Sequence, residues 1–159
     1  MSLNQLSTYF FGFLFMKNID IRNKIDNKLE EFKKDNERIN KINKNNDYII
    51  YNNVLRLDLF LDEYIIPLIP KNKGFLRVEL QETKFNLVKN IYAAYYTDAR
   101  LRASNVREAC VNLSLIDHLT SKLSIFNIIN DKYEKQVAIY LNSIKGPLFG
   151  WKYNLENGK

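Results

Sequence analysis

Eight basic side chains crowd the stretch between Lys71 and Arg107: Lys71, Lys73, Arg77, Lys84, Lys89, Arg100, Arg102 and Arg107. Only Glu79, Glu82 and Asp98 oppose them, eight against three, a net of +5. Arg77 and Lys84 are seven residues apart, which on a helix is one face two turns along. Lys73 extends that line from one end, and Arg100 and Arg102 lie beyond the other. The chemistry such a stripe supports is the holding of phosphates, with counterion release making binding salt-dependent and largely independent of sequence. The plain alternative is a set of solvated surface charges, and charge alone does not separate the two.

Other chemistry has little footing. The chain has one histidine, His118, beside Asp117, and neighbours on a helix point in different directions. No carboxylate pair recurs in the Glu-x-x-His manner of di-iron bundles, and no Gly-rich phosphate loop or catalytic signature is present. We therefore expect a protein that is not an enzyme, with no cofactor and no metal site. Tyr92, Tyr95 and Tyr96 offer rings for base stacking, but their helical spacing beside Val88 and Ile91 suits a core or a subunit interface. Trp151 carries the same two readings. Cys110 sits among Val106 and Leu113 and reads as a buried small hydrophobe.

The elements that position these residues read as helices. Five Gly and three Pro in 159 residues are too few for an all-β chain, and 46% apolar residues allow a real core. The overall charge of +6 lies wholly beyond Pro70: 14 Lys/Arg against 8 Asp/Glu there, 10 against 10 before it. A lone cysteine fits a reducing, cytoplasmic setting. The run Tyr9-Phe10-Phe11-Gly12-Phe13-Leu14-Phe15-Met16 is too short to span a bilayer, so no membrane is expected. It reads as a core segment, a partner-facing patch or a stretch foreign to the working chain, with Met16 as the natural start.

Ile21, Ile25, Leu29, Phe32, Ile39 and Ile42 form a narrow stripe on a polar helix over 17–46. A second helix is predicted from Tyr48 to Ile69, ended by Pro67 and Pro70, and a third from Leu76 to Tyr96. The fourth is predicted from an N-cap at Ser104 to Phe126, apolar on two sides through Leu115, Ile116 and Leu119. Asn130 or Asp131 caps the last, with Glu134 closing a capping box. The expectation is all-α: an antiparallel up-down four-helix bundle over 47–153, an additional N-terminal helix within 1–46, and a tail at 154–159.

Pro70-Lys71-Asn72-Lys73-Gly74-Phe75, Leu80 through Tyr96, Ile129-Asn130-Asp131-Lys132-Tyr133-Glu134 and Ile144 through Trp151 add a further pointer. In order and spacing they resemble a family of small bacterial four-helix-bundle proteins. It includes the accessory variability determinant of diversity-generating retroelements (Avd-like) and the protein of the 23S ribosomal RNA intervening sequence. The resemblance covers Leu59 to Tyr153. This chain departs from the pattern at Gly146-Pro147, where a proline should kink or end the last helix a turn early. Lys122-Leu123 lies near a typical Arg-Leu pair of the family. The resemblance implies a homo-oligomer, a ring of five in the retroelement members, offering basic surface to RNA or DNA and to a reverse transcriptase. The expected function is a non-catalytic nucleic-acid-binding accessory protein. The rival is a protein-interaction or scaffolding bundle that binds no nucleic acid and works through the apolar run and the 17–46 helix.

Overall fold

The computed structural model describes residues 22–24, 26–31, 34 and 49–158. The chain divides into two units, Met1–Asn46 and Asp47–Lys159. Within the first, residues 22–24, 26–31 and 34 are helical. The apolar run at 9–16 and the remainder of the stripe over 17–46 lie outside the described residues.

The second unit is helical, and no strand occurs among the described residues. Helix α1 (Ile49–Phe60) widens into a π turn, Leu61–Ile65, tightens to a 3-10 turn, Ile66–Leu68, and stops. A second 3-10 turn, Lys71–Lys73, leads into α2 (Gly74–Tyr96). Helices α3 (Ala99–Ile125) and α4 (Asp131–Glu156) follow after short connections. The principal packing runs in a cycle, α1 on α2, α2 on α3, α3 on α4 and α4 on α1.

The core follows the helical period. Val54, Leu57, Leu61, Tyr64 and Ile65 are buried on the first segment, and Leu80, Leu87 and Ile91 on α2. Val106, Cys110, Leu113, Thr120 and Leu123 are buried on α3. All six periodic residues of α4, Tyr133, Val137, Tyr140, Leu141, Ile144 and Leu148, are buried. At the centre of one end the ring of Phe60, wholly buried, lies 5.1 Å from Tyr64, 6.1 Å from Tyr133 and 5.3 Å from Tyr140. Burial pushes the Tyr133 phenol and the Cys110 thiol up from their ordinary values; at Cys110, Lys152 opposes that shift and Glu156 adds to it.

Several boundaries differ from expectation. Helix α3 starts at Ala99, five residues before Ser104, because Asp98 is the N-cap: its carboxylate accepts from the Leu101 amide at 3.2 Å. Asp is as good a cap as Ser, and Ala-Arg-Leu-Arg-Ala between them is strongly helix-forming. On the second edge predicted for α3, Ile116 and Leu119 are buried and only Leu115 is exposed; Leu68, before α2, is also exposed. Asn130 caps α4, accepting from the Tyr133 amide at 3.0 Å, while Glu134 accepts from Ser124 Oγ at 2.6 Å and closes no capping box. Glu134 stands one position past the place a box requires. The first half of the stretch expected as a tail, residues 154–156, is the last turn of α4.

Pro147 neither ends nor shortens α4, which runs through it to Glu156. A proline lacks the amide that would bond the carbonyl four residues back, here that of Ser143. Asn53, on α1, donates its Nδ2 to that carbonyl at 3.1 Å. A neighbouring helix thus supplies the donor that the sequence of α4 lacks, and the helix continues.

Candidate nucleic-acid interface

The two turns between α1 and α2 are set by prolines that cannot donate backbone bonds. They carry Lys71, exposed, and Lys73, half-buried. The Lys73 ammonium lies over the Phe126 ring, 4.5 Å from its centre, so it ties the start of α2 to the end of α3.

Arg77 and Lys84 do share one face of α2, and that face meets α1. Arg77 donates from Nη2 to the carbonyl of Ile69, the residue at which the 3-10 turn ends. Lys84 Nζ lies 2.8 Å from Asp58 and 3.1 Å from Asp62, with only 12% of its side chain exposed. Burial pushes the Lys84 ammonium down, but hydrogen bonds and charge from Asp58 and Asp62 outweigh it and leave the pKa raised above its ordinary 10.5. Neither cation is poised for a polyanion: both are bonded within the bundle.

Arg102 serves a similar purpose at the other end of α2. Its Nε donates to the Ala94 carbonyl at 3.0 Å and its Nη2 to the Thr97 carbonyl at 3.1 Å. These groups belong to the last turn of α2 and the residue after it, where carbonyls have no partner within the helix. Because α3 begins at Ala99, Arg100 and Arg102 stand in its first turn rather than in a loop.

Four of the eight basic residues remain outward. Lys71, Lys89, Arg100 and Arg107 are exposed, and none makes an ion pair among the described residues. Arg107 makes one long local bond, Nε to the Ala103 carbonyl at 3.4 Å. Arg100 and Arg107 are seven apart on α3 and share a face about 10 Å long. Sequence spacing had linked Arg77 with Lys84; the pair with both spacing and exposure is Arg100 with Arg107. The shift of the α3 N-cap from Ser104 to Asp98 is the signal that reveals it.

The aromatic candidates divide as well. Tyr95 is half-buried with its ring 5.0 Å from Trp151, whereas Tyr92 and Tyr96 are exposed, 4.6 Å from each other. The Tyr92 ring also lies 6.4 Å from Tyr51 on α1. His118 is exposed, and Asp117 accepts from Lys145 Nζ at 2.6 Å. Among the described residues no three His, Cys, Asp or Glu side chains gather as a metal site would need, and no helix is long and apolar enough to cross a membrane. Compared with known protein families, curated proteins and solved structures, the chain gives no match.

Proposed function

We propose that this chain is a non-catalytic nucleic-acid-binding accessory protein, holding RNA or DNA by its phosphates from an antiparallel up-down four-helix bundle. The two-residue link between α2 and α3, and the five-residue link between α3 and α4, favour antiparallel neighbours. The observation that carries the binding reading is the outward set of Lys71, Arg100 and Arg107, cations in no ion pair among the described residues. Such side chains act through phosphates and counterion release. The resemblance to the retroelement and ribosomal intervening-sequence proteins extends the reading to a cytoplasmic homo-oligomer that serves a reverse transcriptase.

The test is affinity for single- and double-stranded RNA and DNA as a function of salt. The variant Lys71→Ala/Arg100→Ala/Arg107→Ala removes only exposed cations, so the bundle should keep its helicity. If each contacts a phosphate, the slope of log K against log salt falls by about 2 to 3. Absence of binding at low salt rejects the reading; binding with an unchanged slope rejects these three residues.

A second reading, an interaction bundle without nucleic acid, draws on a separate observation. Phe75, Val78, Phe85, Tyr92 and Tyr96 are all exposed on α2. Exposed apolar stripes of this kind mark contact surfaces. The working surfaces first expected for that reading, the apolar run and the 17–46 helix, lie largely outside the described residues.

A further inference from the structure

Helix α2 has apolar residues on two opposite sides. One set, with Leu80, Leu87 and Ile91, is buried in the bundle. The other set faces out: Phe75, Val78, Phe85, Tyr92 and Tyr96, each between 52% and 65% exposed. With Glu82 and Lys89, also exposed, these positions are spaced 3, 4, 3, 4, 3 and 4 along the chain. That is an unbroken seam repeat running the length of the helix, which a partner helix can follow. Leu101, Val111 and Leu115 add exposed apolar area on α3, the helix packed against it.

The order of residues along the seam identifies the partner. Counted from its midpoint, between Phe85 and Asn86, the seam matches aromatic with aromatic at its ends and acid with base nearer its centre, while Val78 falls opposite the larger Tyr92. Phe75 and Tyr96 are equally far from that point, and so are Glu82 and Lys89. We propose that the outward face of α2 is a two-fold contact between two copies of this chain, their α2 helices running antiparallel. In that register Glu82 meets Lys89 of the second copy at two symmetric places. Phe85 lies beside its own copy at the centre, and Phe75 comes level with Tyr96. A parallel pairing instead places Glu82 on Glu82 and Lys89 on Lys89, which repel. A two-fold contact is self-complementary by nature, and this charge order is what it requires.

The seam alone is too small. Helix α2 is about 35 Å long, and a stable interface covers about 800 Å² per partner, so the exposed residues of α3 must join it. The inference gives a contact to the self-association proposed above, and its test reads mass rather than nucleic-acid affinity. It differs in kind from a ring of five, whose contacts join two unlike patches.

The experiment measures mass across protein concentration for the full chain, with helicity as the control for folding. The expected result is a dimer or an even multiple. Glu82→Lys and Lys89→Glu should each raise the dissociation constant at least tenfold, and the double reversal Glu82→Lys/Lys89→Glu should restore it. A Phe85→Cys variant, under a mild oxidant, should give a disulfide-linked dimer; Cys110 is buried and should not compete. Phe75→Cys and Tyr96→Cys variants should cross-link with each other when mixed, and neither with itself. A chain monomeric at all concentrations overturns the proposal and leaves the seam to a different kind of partner. An oligomer whose mass ignores both single reversals overturns this contact while leaving self-association standing. A double reversal that fails to restore the single losses overturns the antiparallel register.

Discussion

The side of α2 that meets α1 and the side that faces outward carry the same residue types to opposite ends. Inward, Lys84 is held between Asp58 and Asp62, and Arg77 closes the Ile69 carbonyl. Outward, Lys89 stands exposed in no ion pair among the described residues. Lys84 and Lys89 are five positions apart, and their surroundings, not their chemistry, decide what each does. A cation with acids on the facing helix stabilises the fold. The same cation five positions on faces solvent and keeps its charge available to a partner.

The widest separation between the two sides should appear in stability. Lys84→Ala leaves Asp58 and Asp62 close together without their counter-charge and should cost about 2–3 kcal/mol in urea unfolding. That is below the cost of a fully buried pair, because half of the Asp62 side chain is exposed. Lys89→Ala should change stability by less than about 0.5 kcal/mol. Equal effects of the two would erase the distinction. The pH dependence has a fixed sign. A lysine whose pKa is raised on folding contributes fully below its unfolded value of 10.5, and the contribution fades as pH rises through the folded value. The stability gap between wild type and Lys84→Ala should therefore stay level through neutral pH and shrink in alkali.

How much of this was legible in the sequence depends on the distance over which each feature is decided. Helix α4 was readable almost whole, since Asn130 and the periodic residues from Tyr133 to Leu148 sit within one continuous pattern. The partners of Lys84 lie 22 and 26 residues earlier on another helix, and Asn53 lies 90 residues from the carbonyl it serves, so neither contact leaves a local trace. The outward seam of α2 was hidden for a different reason. A helix apolar on both sides offers two periodic stripes, and the sequence does not say which one the bundle will cover. The same limit made Lys84 and Lys89 look alike as candidate phosphate contacts.

Asn53 sharpens the comparison for a neutral group turned inward. Asn53→Leu removes the donor to the Ser143 carbonyl at the place where Pro147 has already removed the amide. The cost should be about 1–2 kcal/mol, the price of an acceptor left without a bond. Pro147→Ala restores an amide four residues beyond Ser143. In the Asn53→Leu background it should recover most of the loss, a coupling that double-mutant unfolding measures directly. Strict additivity of the two changes would mean that Asn53 contributes by packing and not through this bond.

Asp98 and Ser104 make the closest test, because the two are almost equivalent as sequence and differ only in use. Both are residue types that cap helices, and both precede helix-forming residues. The Asp98 carboxylate accepts from the Leu101 amide, whereas Ser104 is an exposed residue in the second turn. Asp98→Ala should therefore cost about 1 kcal/mol, and Ser104→Ala should raise helicity slightly or leave it alone, since alanine is the better interior residue. The consequence reaches the candidate interface. If Ser104 were the true cap, Arg100 and Arg102 would leave the helix, the Arg102 bonds to Ala94 and Thr97 would lose their geometry, and Arg100 would no longer share a face with Arg107. A larger loss from Ser104→Ala than from Asp98→Ala would thus move the start of α3 and dissolve the one pair of outward arginines that spacing and exposure together support.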